Sequence, residues 1–473
     1  MKSFVVTTAA LIWANLPCQA SPIWSCKTGP KPDAASPCAD PEIVRLDKAI
    51  DARMTRLTAS ADPVTAMLLK RDQRWFLETL TEGKAAELEL REEDREGARA
   101  KLAARLKMLE AMQPRAGALA GEWVNALLTV KITTGAGDAL QVEIVGKVDY
   151  PDHDETAECG VKAEVKPGQD GWFAGPPAPL DDEKPKDDKQ ADATKDTPGV
   201  LRLRLQAGTL RVVLIEPERA EFCTAPGFVT GTYFATGAAA SGAAPTVAPS
   251  FDCKTAKNED EEEICSDPEL ARLDNQIAAL YRDTLKRLDA KTQAHLRDDQ
   301  RGWSKMKKDI FSFYLHPAWD KRSYMVHHSS SARDELAKSL EGRIGLLDGL
   351  DDGRKGFVGR WIGYNASATI KPKKEATDGT LSVTGGKWEG LDYKSHCEFD
   401  TDGKIAGNQL ISDDGPRFAR DGMTLTVDAH YPDRTRNKDM ELKMERPDYC
   451  SRMDAAKARL FPVKDGMKVY GGR

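Results

Sequence analysis

The chain repeats itself at a fixed distance, and this limits its fold more tightly than any other feature. Cys253, Cys265, Asp267-Pro268-Glu269, Arg272-Leu273-Asp274 and Gln300-Arg301 recur 227 residues earlier as Cys26, Cys38, Asp40-Pro41-Glu42, Arg45-Leu46-Asp47 and Gln73-Arg74. Self-similarity over that length predicts a tandem duplication of one structural unit. The offset rises to 238 where Leu340, Arg343 and Leu347 match Leu102, Arg105 and Leu109, so the second copy carries eleven extra residues. Phe311, Tyr314, Trp319 and Tyr324 lie in that stretch, where aromatic side chains suit packing against a neighbouring domain or a binding loop.

Each copy divides into a helical and a strand-rich part. Asp40 and Asp267 are suited to cap a helix, with Pro41 or Pro268 in the first turn and an acid at the positive end of the dipole. Ile43, Leu46, Ile50, Met54 and Leu57 then recur at helical spacing, as do Leu270, Leu273, Ile277, Tyr281, Leu285 and Leu288. A second helix over about 64 to 80 and a charged third over about 85 to 112, burying Ala98, Leu102, Leu106 and Leu109, complete a small bundle.

After each bundle comes Gly-x-Trp, at Gly121-Glu122-Trp123 and Gly359-Arg360-Trp361. Alternating runs follow, including 201–205 and 210–215 in the first copy and 423–427 and 440–444 in the second; they predict antiparallel strands curled into a sandwich or barrel. The expected fold class is therefore α+β, divided into a helical module over 21–115, a β domain over 116–235, a linker over 236–250, a helical module over 251–352 and a β domain over 353–473. An Asp, Lys and Pro-rich stretch over 176–199 reads as a mobile loop in the first β domain.

Residues 1–20, with Lys2, an apolar run and small residues before position 21, read as a cleaved secretory signal, which places the protein in the periplasm or outside the cell. No later run is apolar enough to span a bilayer, so no stable membrane anchor is expected. Removal of Cys18 leaves eight of the nine cysteines. In an oxidising compartment these read as disulfides, paired within copies as Cys26 with Cys38, Cys159 with Cys223, Cys253 with Cys265 and Cys397 with Cys450. No Cys-x-x-Cys occurs, and His327-His328 has no third ligand nearby, so neither a metal nor another cofactor is expected.

The Cys253 to Cys265 spacing, the Ser-Asp-Pro-Glu-Leu-Ala-Arg-Leu-Asp run that follows and Gln300-Arg301-x-Trp303 resemble the LprI-type lysozyme inhibitor family, closely over 251–303 and through the repeat over 24–75. The resemblance implies lysozyme inhibition in an envelope setting, with Asp267, Pro268, Arg272, Asp274, Gln300, Arg301 and Trp303 as its structural motif. In the first copy Trp75 follows Arg74 directly, so the tryptophan is expected one residue out of register. The strand domains resemble lipocalin-like barrels in their Gly-x-Trp openings.

Lysozyme is a basic enzyme with two carboxyl groups in its cleft, and an acidic surface speeds association with such a partner. Glu259, Asp260, Glu261, Glu262 and Glu263, between Cys253 and Cys265, are the candidate docking residues, set against a solvated charge run near a helix start. In a helix Gln300 and Trp303 share a face, so Trp303 is expected inside the bundle and Arg301 is expected to reach an acid on another helix. Arg272 with Asp274, or Arg45 with Asp47, would complete that buried pairing. No nucleophile elbow, zinc-protease motif, phosphate loop or dinucleotide fingerprint occurs, which argues against an enzyme. The net charge of −6 and the lack of a basic patch with interleaved aromatics argue against nucleic acid. The competing reading is a periplasmic interaction or ligand-binding protein with another partner, distinguished by a ligand-sized cavity in the strand domains near Tyr364 or Trp388.

Overall fold

The computed structural model describes residues 37–81, 92–113, 118–149, 156–180, 199–206, 208–215, 226–236, 247–308, 310, 332–374, 376–388, 396–412, 416–428 and 458–466. Helices and barrels alternate. The first half runs α1 (Pro41–Ser60), α2 (Pro63–Thr81) and α3 (Glu92–Ala111), then a barrel; the second runs α4 (Glu259–Ser266), α5 (Pro268–Arg287), α6 (Ala290–Lys307) and α7 (Ala332–Gly349), then another barrel.

The helix starts follow from their capping residues. Asp40 accepts hydrogen bonds from the Glu42 and Ile43 amides at 2.9 and 3.1 Å, and Asp267 does the same for Glu269 and Leu270 at 2.9 and 3.2 Å. Each thus satisfies donors that a helix start leaves unpaired. Behind the caps, Ile43, Leu46, Ile50, Met54 and Leu57 are buried against Leu68, Leu69 and Phe76 of α2 and Leu102 and Leu109 of α3. In the second half Leu270, Leu273 and Ile277 pack with Leu296, Trp303, Leu340 and Leu347.

Both strand regions are closed eight-stranded antiparallel barrels, which decides between sandwich and barrel. In the first, β1 (Gly121–Val124), β2 (Thr129–Thr134), β3 (Leu140–Asp149), β4 (Thr156–Pro167), β5 (Phe173–Gly175), β7 (Val200–Gln206), β8 (Thr209–Ile215) and β9 (Gly231–Thr236) each pair with the next, and β9 pairs with β1. The short β6 (Ala178–Pro179) lies beside β4, with Pro179 opposite Val161. The loop expected over 176–199 thus begins as a strand, and 181–198 lies outside the described residues. The second barrel comprises β10 (Gly359–Ile362), β11 (Ala366–Pro372), β12 (Leu381–Trp388), β13 (His396–Ala406), β14 (Gln409–Ser412), β15 (Arg417–Asp421), β16 (Thr424–Asp428) and β17 (Ala458–Val463), closed by β10 against β17.

Gly121 and Gly359 open their barrels with φ of 135° and 125°, a region that L side chains rarely adopt, which is why Gly-x-Trp begins with glycine. The tryptophans turn inward, and their indole N–H groups donate to the carbonyls of Leu119 at 2.8 Å and Phe357 at 2.6 Å. Eight strands leave an interior that side chains can fill. Trp123, Val130, Ile144, Val161, Leu201 and Leu210 fill the first, and Trp361, Ile370, Val383, Leu410, Phe418 and Leu425 the second, all without solvent contact. Bundle and barrel are joined where Met112 bridges to Thr236 and Leu350 to Val463.

The linker ends are held in place. Ser250 donates its amide to Asp274 at 2.7 Å, and the Ala248 carbonyl accepts from Asn275 at 2.7 Å. Residues 1–20, expected to be a signal segment, the aromatic insertion with His327-His328, the run at 440–444 and residues 237–246 lie outside the described residues.

Candidate partner-binding site

The segment between the paired cysteines carries the acids singled out above. Cys253 and Cys265 form a disulfide with Cα atoms 5.9 Å apart. Cys38 and Cys159 are also disulfide-bonded; Cys26, Cys223 and Cys450, and the side chain of Cys397, lie outside the described residues. The intervening chain is not an open acidic loop. Asn258 caps α4, accepting from the Glu261 amide at 3.0 Å, and Glu259 to Glu262 occupy its first turn, where the dipole favours acids.

The expected docking face is turned inward. Asp260, Glu262 and Glu263 are buried, and Glu259 and Glu261 are half-buried. A carboxylate can be buried when guanidinium groups replace its water, and that is the arrangement here. Glu263, 1 % exposed, receives Arg71 of α2 on Oε2 at 2.8 Å and Arg211 of β8 on Oε1. Glu262 receives Arg74 at 2.5 Å. Asp267 uses Oδ1 as helix cap and Oδ2 to accept from Arg211 at 3.3 Å and Arg333 of α7 at 3.2 Å. Burial pushes the Asp267 carboxyl up, but Arg333, Arg211 and the cap amide outweigh it and leave its pKa lowered to about 2. Arg333 also bonds Glu269 and Asp334, and Arg202 of β7 approaches Glu269 at 3.4 Å.

Strand β8 shows the consequence. Leu210, Val212 and Leu214 point into the barrel, yet Thr209, Arg211 and Val213 on its outer face are also buried. A strand covered on both sides must lie between two layers, and for Arg211 the second layer is the α4–α5 corner. Beside it Trp75 of α2 joins Ile264, Leu270 and Leu336 in the core of the second half, with the Arg71 guanidinium 5.0 Å from the centre of its ring.

The motif residues divide between roles expected and roles corrected. Trp303 enters the bundle, and its Nε1 donates to Ser339 at 3.2 Å. Pro268 starts α5. Gln300 shares the inward face and accepts from Arg343 Nε at 2.7 Å. Arg301, by contrast, is exposed and pairs with Asp298 on its own helix. Arg272 is exposed near Gln276, and Asp274 is occupied by the Ser250 amide. In the first half Arg45 is an exposed partner of Glu42, while Asp47 is buried. Arg301, Arg272 and Arg45 turn toward solvent instead of entering the expected buried pairing, and Asp274 anchors the linker.

The buried arginine comes from the last helix instead. Arg343 donates to Asp299 at 2.5 Å, and Asp299 accepts the Tyr364 amide at 2.8 Å, binding α6, α7 and the turn after β10 together. The first half builds the same clasp: Arg105 donates to Asp72 at 2.8 Å and to Gln73 at 3.0 Å, and Asp72 accepts the Ala126 amide at 2.7 Å. Arg343 lies 5.6 Å from the Trp303 ring and Arg105 lies 5.3 Å from the Phe76 ring. Phe76, not Trp75, therefore stands where Trp303 stands, and no register shift is needed. A sequence signal existed: Arg105 and Arg343 occupy matching places beside apolar residues, and Arg211 interrupts Leu-x-Val-Val-Leu on a buried strand.

Among the described residues no cluster of histidine, cysteine and carboxylate side chains is arranged to hold a metal, and no helix is long and apolar enough to cross a membrane. Comparison of the chain with curated proteins and with solved structures gave no match. The segment holding the disulfide, the acidic helix, the Asp267 cap, Trp303 and the start of α7 is the one for which a family model is found: residues 253–338 match the lysozyme inhibitor LprI domain.

Proposed function

We propose that the protein is an exported, non-catalytic binder that inhibits a lysozyme-type glycosidase by covering its cleft. The observation that carries this reading is the match of residues 253–338 to the lysozyme inhibitor LprI domain. Export is supported by the 1–20 segment and by disulfide-bonded Cys38, Cys159, Cys253 and Cys265. That the first half is a second module of the same kind is supported by its Asp40 cap and its Arg105, Asp72 and Gln73 clasp. The likeness of the strand domains to lipocalin-like barrels is supported by the eight-stranded meander and the buried Trp123 and Trp361.

Asp260, Glu262 and Glu263 are committed inside, so target contact falls to the outward faces of α5 and α6. A ligand within the barrels is not favoured, because their inward side chains already fill them, and Tyr364 packs against the helical core rather than lining a mouth. The test is lysis of peptidoglycan by several lysozymes with and without the oxidised protein, across a salt series. Stoichiometric inhibition of at least one lysozyme is expected. Full activity of every lysozyme at micromolar protein would move the assignment to an envelope protein with a different partner.

A further inference from the structure

The contact between the halves has the composition of a recognition site. Both oxygens of Glu263 are taken, by guanidinium groups from two different domains of the first half, and Asp267 shares Arg211. Arg71 stacks on Trp75, whose ring enters the core of the second half, and Arg74 closes the edge on Glu262. A desolvated centre of arginine and tryptophan with a more exposed charged rim is the pattern of residues that dominate protein interfaces.

The halves differ in sequence at this contact. The positions matching Arg71, Arg74 and Trp75 in the second half are Asp298, Arg301 and Gly302, and those matching Glu259 to Glu263 in the first are Pro32, Asp33, Ala34, Ala35 and Ser36. Only the first half carries the full arginine–tryptophan face, and only the second carries the acidic helix. Internal packing of each module would require neither difference, since the Arg105 and Arg343 clasps are alike in both.

We propose that α4 and the Asp267 cap form a guanidinium-binding site and that the chain's own N-terminal half is its resident ligand. The acidic helix is thereby closed to any outside cationic protein, and it opens only when the first half departs. Surface attraction alone would not achieve this, because exposed pairs are weak and screened by salt, whereas pairs stripped of water are specific and tolerate salt.

The test uses the full chain with a protease recognition sequence placed within 237–246. After cleavage, a non-reducing denaturing gel confirms that no disulfide links the two pieces. Gel filtration of the cleaved protein at about 1 µM, in low salt and in about 1 M salt, should give one particle at the volume of the intact chain. E263Q in the same cleaved protein should weaken the association on the order of 100-fold. R71M, which alters the first half alone, serves as a second variant should E263Q disturb α4. Separation of the unsubstituted halves at 1 µM would overturn the proposal, as would association unchanged in folded E263Q and R71M. No lysozyme takes part, so the result is independent of whether the protein inhibits one.

Discussion

Asp299→Ala tests the clasp that holds helix bundle to barrel. The substitution removes the carboxylate that pairs with Arg343 at 2.5 Å and accepts the Tyr364 amide at 2.8 Å. Arg343 is 2 % exposed and cannot regain water without opening α6 from α7. Leaving a buried charge without its partner costs about 3–5 kcal/mol, and an unsatisfied amide adds roughly 1–3 kcal/mol. Gln300 still holds Arg343 Nε at 2.7 Å, which offsets part of this, so a net loss of about 4 kcal/mol is expected. Hydrogen exchange of peptides covering 290–307 and 332–349 reads that loss as local opening about a thousandfold more frequent, without requiring the chain to unfold in one step. The double variant D299L/R343M removes both charges and should recover at least about 2 kcal/mol of the loss, as expected for coupled neighbours. Asp72→Ala should produce the same loosening in α2 and α3 while leaving α6 and α7 protected. A less than tenfold change in D299A, or a double variant no better protected than D299A itself, would refute the clasp.

Trp303→Ala should cost about 3–5 kcal/mol through the cavity it leaves, whereas W303F, which loses the bond to Ser339 and part of the ring, should cost less; thermal melts rank the two. Removing the Cys253–Cys265 bond in C253S/C265S frees the loop it closes in the unfolded chain and should lower stability by about 3 kcal/mol, read as a lower urea midpoint than that of the oxidised native protein. Asp267 has its folded pKa lowered from 3.8 to about 2, so its contribution of about 2 kcal/mol is present above the unfolded value and is lost as pH falls from about 4 toward 2. Melting temperature followed through that window should fall more steeply in the native protein than in D267N, and equal slopes would remove Asp267 from the account.

The periodicities visible in the sequence were local ones. The Asp40 and Asp267 caps, the apolar stripe of α1 and the inward turn of Trp303 follow from neighbours within a few residues, and the structure has them as expected. The strand runs were equally legible, but the closing of β1 on β9 and β10 on β17 joins residues distant in the chain, such as Trp123 with Ala235 and Trp361 with Pro462. Charge was misleading for a physical reason. An acidic run near a helix start reads as solvated, and only the arrival of Arg71 from about 190 positions upstream and Arg211 from about 50 makes burial of Glu263 possible. Arg301 and Arg272 misled in the opposite sense. Their places in the resemblance suggested burial, whereas their helices turn them outward and give the buried position to Arg343.

The junction between the halves is directional: a face of α2 in one meets the α4 corner of the other. Contacts of this head-to-tail kind leave a free face on each unit, and a unit bearing both faces would add further units into a ring or, where the rotation does not close, an open fibre. Here each face is present once per molecule. The second half offers Asp298 and Gly302 where an incoming acidic helix would need Arg71 and Trp75, and the first half has Pro32 to Ser36 where a further arginine face would need carboxylates. The same substitutions that fit the halves to each other thus terminate growth at both ends, so that a surface built for stacking is used up after a single step.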